Sequence, residues 1–107
     1  MVVIPSLYEP FGIVALEGLA ASKPVIAFKT GGLKEIVKDN QGILLEGISS
    51  VQLAKRLHIC LQNPKGVETV ALRGYKAMID EYQWLSIIRI TISVYNKVVS
   101  NRNFFNK

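Results

Sequence analysis

Three very short apolar runs, separated by segments long enough for a helix, constrain this chain more than any other feature. The runs are Val2–Ile4, Val25–Phe28 and Ile43–Leu45, and turn residues follow each of them. Apolar runs without alternation are typical of strands in a parallel sheet that helices cover on both faces. Their order with the intervening helical segments therefore predicts an α/β fold, with a Rossmann-like parallel sheet flanked by helices.

Helical spacing marks the segments between and after these runs. A helix is predicted over residues 12–22, and a short one over residues 33–38 follows the Gly31-Gly32 turn. Two further helices are predicted after the third run, one capped by Ser49-Ser50 and one that begins after Pro64 and ends near Tyr82. The apolar residues that mark the first and third of these four helices are Ile13, Leu16, Leu19, Ala20, Val51, Leu53, Ala54, Leu57 and Leu61.

The segment from Trp84 to about Val99 has two patterns at once. Alternating apolar residues over 88–94 favour a strand, whereas Leu85, Ile88 and Ile92 fit helical spacing. Because the segment is too long for an ordinary strand, we predict a helix.

Charge is unevenly distributed along the chain, whose formal net charge is +5. After Tyr82 there are four basic residues and no acidic one, namely Arg89, Lys97, Arg102 and Lys107. Such a segment can contact membrane phosphates or nucleic acid. Its charges are sparse, however, so a solvated helix face is the favoured interpretation and peripheral membrane contact the less favoured one. No nucleic-acid partner is expected, because neither a dense basic patch nor a known binding module is present.

The single cysteine, Cys60, limits the redox chemistry of the chain. An internal disulfide is impossible, which favours a cytoplasmic location, and the apolar neighbours Ile59 and Leu61 indicate a buried structural thiol. No apolar run approaches the length of a membrane span. His58 is expected at the surface or the edge of the core.

The connection between the first strand and the first helix is the candidate functional segment. A loop over residues 7–11 is followed by a helix, so the backbone N–H groups of Phe11, Gly12 and Ile13 are expected at a helix N-terminus. The first amides of a helix lack intrahelical acceptors and attract a phosphate, together with the helix dipole. Gly12 would let the backbone approach a ligand closely.

Two carboxylates frame this segment, Glu9 in the loop and Glu17 within the helix. Glu17 has apolar neighbours, and a buried carboxylate needs hydrogen-bond partners. The vicinal hydroxyls of a ribose would supply two donors. A helical glutamate is more often solvated or salt-bridged, but the spacing of both glutamates around the helix start favours a ligand site.

Glu9, seven intervening residues and Glu17 form a paired-glutamate motif. With the surrounding Pro-Ser-Leu-Tyr-Glu-Pro-Phe-Gly and Ala-Leu-Glu-Gly-Leu-Ala, this motif resembles glycosyltransferase family 4 (the group 1 glycosyltransferases) and the related glycogen and starch synthases. Thr-Gly-Gly-Leu-Lys-Glu-Ile-Val over residues 30–37 is similar to the glycine pair and helix that follow in that family. The resemblance implies the truncated C-terminal half of a GT-B fold, with residues 1–107 as a partial nucleotide-sugar-binding domain and the acceptor domain absent.

The resemblance also implies roles for individual residues. Glu9 would be the catalytic residue beside the donor sugar, the backbone of Phe11, Gly12 and Ile13 would hold the diphosphate, and Glu17 would bind the ribose. The glycine pair at 31 and 32 would shape the pocket wall. No metal or cofactor is implied; the ligand would be a nucleoside diphosphate sugar such as UDP-glucose or ADP-glucose.

Lys29, Lys34 and Lys38 match no motif position and are interpreted as solvated. A basic pair that the family places upstream of this region has no counterpart here, and residues 39–46 are shorter than the family's usual loop.

Three functional hypotheses remain open. The first is the donor domain of a retaining glycosyltransferase, expected to be inactive without its N-terminal domain. The others are a non-catalytic nucleotide-sugar-binding module and a truncated relic of such an enzyme. The resemblance allows a separate N-terminal acceptor domain as a protein partner.

Overall fold

A computed structural model describes residues 1–102 and contains three strands and five helices over those residues. The elements in chain order are β1 (Val2–Ile4), α1 (Ile13–Ala20), β2 (Val25–Phe28), α2 (Leu33–Ile36), β3 (Ile43–Leu45), α3 (Ser50–Gln62), α4 (Pro64–Tyr82) and α5 (Trp84–Arg102). All three strands have the predicted bounds, and the predicted Rossmann-like parallel sheet with flanking helices is confirmed.

The sheet is parallel throughout, with strand order β1-β2-β3. Val3 pairs with Ile26, and Ala27 pairs with Leu44. All four residues of β2 are buried, because successive side chains point to opposite faces and both faces are covered. Val25 and Ala27 belong to the core on the α1 side, whereas Ile26 and Phe28 pack with Cys60 of α3 and Val67 of α4.

Strand β1 lies at an edge of this three-stranded sheet and is covered on one face only. Ile4 is buried in the core beneath α1, but 37% of Val3 is exposed. The apolar run Val2–Ile4 therefore predicts more complete burial than β1 has. Helices α3 and α4 pack over Ile26 and Leu45, so their cover is centred on β2 and β3 rather than on β1.

Helix α1 buries only part of the face that its apolar spacing predicts: Leu19 is buried and Leu16 packs against the core, but the other two predicted residues do not. Ala15, Gly18 and Leu19 are buried, whereas Ile13 is 60% exposed and Ala20 is exposed as well. A Cβ added at Gly18 would lie 2.9 Å from Cγ2 of Val25. The small residues therefore let α1 lie close against the sheet, and this contact sets the rotation of the helix.

Helix α3 contacts the sheet along a narrow line. Leu53, Leu57 and Cys60 pack against the core, and the predicted burial of Cys60 is confirmed. The other three residues expected on this face, Val51, Ala54 and Leu61, are exposed. Because α3 covers an edge of the sheet, only positions spaced by about one turn reach the core. His58 is exposed, as expected.

Side-chain caps begin α3 and α4, and the cap of α3 is the one predicted from the sequence, whereas that of α4 is not. The Ser49 side chain accepts a 3.3 Å hydrogen bond from the Gln52 amide and caps α3. The Asn63 side chain accepts one of 3.1 Å from the Gly66 amide. Pro64 is the first residue of α4, a position that tolerates proline because its missing N–H would have no intrahelical acceptor.

Helix α5 confirms the helical interpretation of the last segment. It packs against α4, and the Ser86 hydroxyl donates to the Asp80 carbonyl at 3.0 Å. Arg89 and Lys97 are exposed. Lys107, the last of the four basic residues, lies outside the described residues. Across residues 1–102 no helix is long and apolar enough to cross a membrane.

Candidate functional site

The candidate site is the β1–α1 loop (residues 5–12) together with the N-terminus of α1. It lies where β1 ends, and ligands of open α/β sheets bind beyond the carboxyl ends of the strands. The first amide of the helical ladder is that of Ala15, which donates to the Gly12 carbonyl at 2.9 Å. The amides of Ile13 and Val14 precede that ladder, so this helix end carries the partial positive charge expected of an N-terminus.

Glu9 already interacts with this helix end. Its Oε1 accepts a 3.2 Å hydrogen bond from the Gly12 amide, and the pair is partly buried. The carboxylate therefore occupies one of the three amides that the sequence assigned to a diphosphate. An acidic group at a helix N-terminus is stabilised by the helix dipole.

Gly12 is buried, and its close neighbours belong to α2. It adopts the left-handed conformation, with φ 78° and ψ 29°. An added Cβ would lie 3.1 Å from Cδ1 of Ile36 and 3.2 Å from Cδ2 of Leu33. The left-handed backbone and the close approach of α2 therefore both favour a glycine here, whatever the residue does toward a ligand. Local spacing could not reveal this contact, because α2 lies more than 20 positions further along the chain.

The other predicted site residues lie on the open side of the loop and helix. Phe11 is 75% exposed, and Ile13 and Glu17 are also exposed. The expectation that Glu17 lies in an apolar environment is wrong. The adjacent Gly18 and Leu19 face the sheet, which turns Glu17 outward, where water solvates its carboxylate. A ligand on this face would find the Glu17 side chain accessible.

A second loop borders the first one. We call residues 30–32, between β2 and α2, the glycine turn. The Gly32 amide donates a 2.8 Å hydrogen bond to the backbone carbonyl of Glu9, and the Thr30 hydroxyl donates to the Ser6 carbonyl at 3.3 Å. The glycine turn is therefore joined to the β1–α1 loop through the backbone of the residue that carries the first motif glutamate.

Two of the three lysines interpreted as solvated form ion pairs instead. Lys29 donates to Glu46 at 2.5 Å, and Lys38 donates to Glu81 at 2.6 Å. Each hydrogen bond raises the pKa of its lysine, because the carboxylate partner stabilises the charged form. Lys34 is exposed, as expected. The partners lie 17 and 43 positions away in sequence, so local spacing gave no signal for either pair.

The described part of the chain contains no group of three or more His, Cys, Asp or Glu side chains placed to hold a metal ion.

The chain is similar to several known proteins. The family model described as glycosyl transferases group 1 matches residues 1–77. An uncharacterized glycosyltransferase of Methanocaldococcus jannaschii is 38% identical over 96 residues, which cover 89% of this chain and 25% of that protein.

Solved structures agree with this match. Sucrose-phosphate synthase from Thermosynechococcus elongatus superposes with a TM-score of 0.81 and 31% identity, over 92% of this chain and 25% of that one. Anabaena HepE in complex with UDP-glucose gives a TM-score of 0.71 and 26% identity, over 87% of this chain and 25% of that one. The chain thus spans about a quarter of the length of each of these three proteins.

Proposed function

Because this chain belongs to the group 1 glycosyl transferases, we propose that it binds the nucleoside diphosphate sugar donor of a retaining glycosyltransferase. The donor diphosphate binds at the N-terminus of α1, between Glu9 and Glu17. The hydrogen bond from the Gly12 amide to the Glu9 carboxylate supports this most directly, because this helix end already donates to an anionic oxygen. The UDP-glucose complex of HepE supports the same class of ligand.

The diphosphate in this proposal is held by backbone amides. Ile13 precedes the first intrahelical hydrogen bond, and Phe11 lies on the exposed side of the loop. Their two amides are available as hydrogen-bond donors to the diphosphate. The Gly12 amide becomes a third donor at the same helix end once the Glu9 carboxylate releases it. An anion there also interacts favourably with the helix dipole, by about 0.3–1 kcal/mol at an exposed position.

Each glutamate has a separate part in the proposal. Glu9 lies beside the sugar, where its negative charge stabilises the positive character that develops on the ring during transfer. Glu17 is one turn further along α1 and exposed, so its carboxylate is available to accept hydrogen bonds from the two ribose hydroxyls. Hydrogen bonds to a charged group contribute about 1.5–3 kcal/mol each.

Transfer itself is proposed for the whole protein that contains these residues. As the bond from the anomeric carbon to the diphosphate oxygen breaks, negative charge grows on the departing diphosphate. Amides fixed at a helix N-terminus stabilise that charge without reorganising, which is a large term in enzyme catalysis. Correct orientation of the acceptor against the donor supplies the second term, and the acceptor site lies in another domain.

Calorimetric titration of the chain with UDP-glucose, ADP-glucose and GDP-mannose tests donor binding. Glu17→Gln is the test variant, and Glu68→Gln is its matched control because Glu68 is exposed on a helix outside the site. We expect saturable binding of one donor, weakened in Glu17→Gln because a neutral amide oxygen accepts less strongly than a carboxylate, and unchanged in Glu68→Gln. At about one hundred times the dissociation constant, that donor should stabilise the fold by about 2.7 kcal/mol.

Two results would contradict the proposal. One is the absence of binding by all three donors to a folded chain. The other is equal binding by the two variants, which would place the nucleotide away from Glu17.

A further inference from the structure

We propose that the glycine turn positions Glu9, and that Gly32 is a positioning residue that sets where the Glu9 carboxylate lies relative to the donor. This inference rests on the proposed function, since it concerns the same site. Neither Gly32 nor its neighbours need to touch the ligand for the effect. The backbone of the glycine turn and that of the β1–α1 loop, which come from different parts of the chain, are in direct contact.

The two backbones meet without space for any side chain between them. A Cβ added at Gly31 would lie 2.0 Å from the carbonyl oxygen of Glu9. One added at Gly32 would lie 2.6 Å from the Pro10 carbonyl oxygen and 2.8 Å from that of Phe11. These neighbours are backbone atoms, which cannot rotate away as a side chain can. Any larger residue at 31 or 32 must therefore displace the β1–α1 loop or the turn itself.

Directional bonds add to this steric contact. The Gly32 amide donates to the Glu9 carbonyl at 2.8 Å, and the Thr30 hydroxyl donates to the Ser6 carbonyl at 3.3 Å. Glu9 is therefore held at two points, by its carbonyl to the glycine turn and by its carboxylate to Gly12. The turn fixes the backbone from which the carboxylate extends.

A substitution at Gly32 tests the steric contact without adding backbone strain. Its φ of −65° and ψ of −17° are helical, so alanine can adopt the same conformation without strain. Gly31 differs, because its φ of 47° is in the left-handed region, where alanine is strained for a second reason. Gly32→Ala is thus the variant that tests the contact with the loop.

A small displacement of the loop is expected to reduce binding strongly. The displaced loop carries Glu9, so its carboxylate would move away from the donor sugar and lose its contact with it.

Donor affinity in a double-mutant cycle tests the inference. The titrations use whichever of UDP-glucose, ADP-glucose and GDP-mannose binds the original chain. They compare the original chain with Gly32→Ala, Glu9→Ala and the double variant. We expect Gly32→Ala to weaken binding by at least about tenfold in the original chain, which is the scale of one lost hydrogen bond to a charged group. With Glu9→Ala present, we expect the same substitution to change affinity by less than about threefold, because coupled residues are not additive.

Gly47→Ala controls for loss of stability. Gly47 is left-handed, with φ 75°, and an added Cβ would meet nothing within 4 Å. This variant should unfold more easily yet keep its donor affinity. If Gly32→Ala does not fold, Thr30→Val takes its place: it removes only the bond to Ser6, and we expect a loss of about threefold that disappears in the Glu9→Ala background.

The outcomes separate the two proposals. If the original chain binds no donor, the proposed function fails and this inference fails with it. If Glu9→Ala weakens binding while folded Gly32→Ala does not, the inference alone is wrong. An equal loss from Gly32→Ala in both backgrounds would also overturn it, because the turn would then act independently of Glu9.

Discussion

The carboxylate of Glu9 accepts a 3.2 Å hydrogen bond from the amide of Gly12, at the start of α1. The first glutamate of the motif is therefore bound to the helix end that is proposed to hold the donor diphosphate. A carboxylate and a phosphate oxygen have the same need for N–H donors, so the two compete for this amide. Donor binding should release Glu9 from Gly12 and leave its side chain free to face the sugar.

This competition predicts an unusual effect of Glu9→Ala. The variant frees the Gly12 amide and removes a negative charge, so UDP without a sugar should bind more tightly by about two- to fivefold, from a change of about 0.3–1 kcal/mol. UDP-glucose should instead bind more weakly to this variant, because the lost contact between Glu9 and the sugar outweighs the gain from the freed amide. Calorimetry with both ligands measures the two changes.

Glu9→Gln is the matched variant, because its amide oxygen can still accept from Gly12 while the charge is removed. It should fall between the original chain and Glu9→Ala for UDP. Unchanged or weaker UDP binding by Glu9→Ala would show that the carboxylate and the diphosphate do not share this amide.

Gly12→Ala should destabilise the fold more than Gly47→Ala. Both glycines are left-handed, with φ values of 78° and 75°, so both variants incur backbone strain of about 1–3 kcal/mol. At Gly12 the new methyl group also meets Ile36 and Leu33, whereas Gly47 has open space. Urea unfolding of both variants gives the difference, and equal midpoints would mean that α2 shifts without cost.

The Lys38–Glu81 ion pair should make stability depend on salt and on alkaline pH. The hydrogen bond to Glu81 raises the pKa of Lys38, so this stabilisation is present below the pKa of an unfolded lysine and is lost as pH rises through the folded-state value. Both groups are largely exposed, so the effect should be small and should diminish in 1 M salt.

Comparing Lys38→Met with the original chain across salt and pH isolates this pair. Lys34→Met is the control, because Lys34 is exposed on α2. A difference between Lys38→Met and the original chain that persists undiminished in 1 M salt would point to packing rather than to charge.

Cys60 should react slowly with iodoacetamide while the chain is folded. Burial raises the pKa of its thiol, which lowers the fraction of reactive thiolate, and only 4% of the residue is accessible. We expect alkylation at pH 8 to be at least about tenfold slower than in denaturant, because the reagent must wait for local opening. Equal rates in the two conditions would mean that α3 does not stay packed on β2 and β3.

The sequence predicts the strands and the long helices because their signals are local. Val25–Phe28 is apolar throughout and is central in the sheet, and Pro64 marks the boundary between α3 and α4. The segment that forms α5 has both strand-like and helix-like apolar spacing, and the prediction of a helix from its length is confirmed.

The remaining details depend on contacts between distant residues. Glu17 is exposed because the contact of Gly18 with the sheet, and not burial of Ile13, sets the rotation of α1. The spacing of large apolar residues along a helix does not show where small residues allow close packing. The backbone contact of Gly32 with residues 9–11 and the partners of Lys29 and Lys38 likewise require the folded chain. The roles assigned to the site residues remain predictions.

Amide chemical-shift mapping with UDP-glucose tests the central claim most directly. In a ¹H–¹⁵N spectrum of the chain, added UDP-glucose should shift the amides of Phe11, Gly12 and Ile13 most strongly, and that of Glu17 to a smaller extent. Shifts that saturate there would place the donor at the N-terminus of α1. Shifts confined to other surfaces, such as the exposed face of α5, or no shifts with UDP-glucose, ADP-glucose or GDP-mannose, would contradict the proposed donor site.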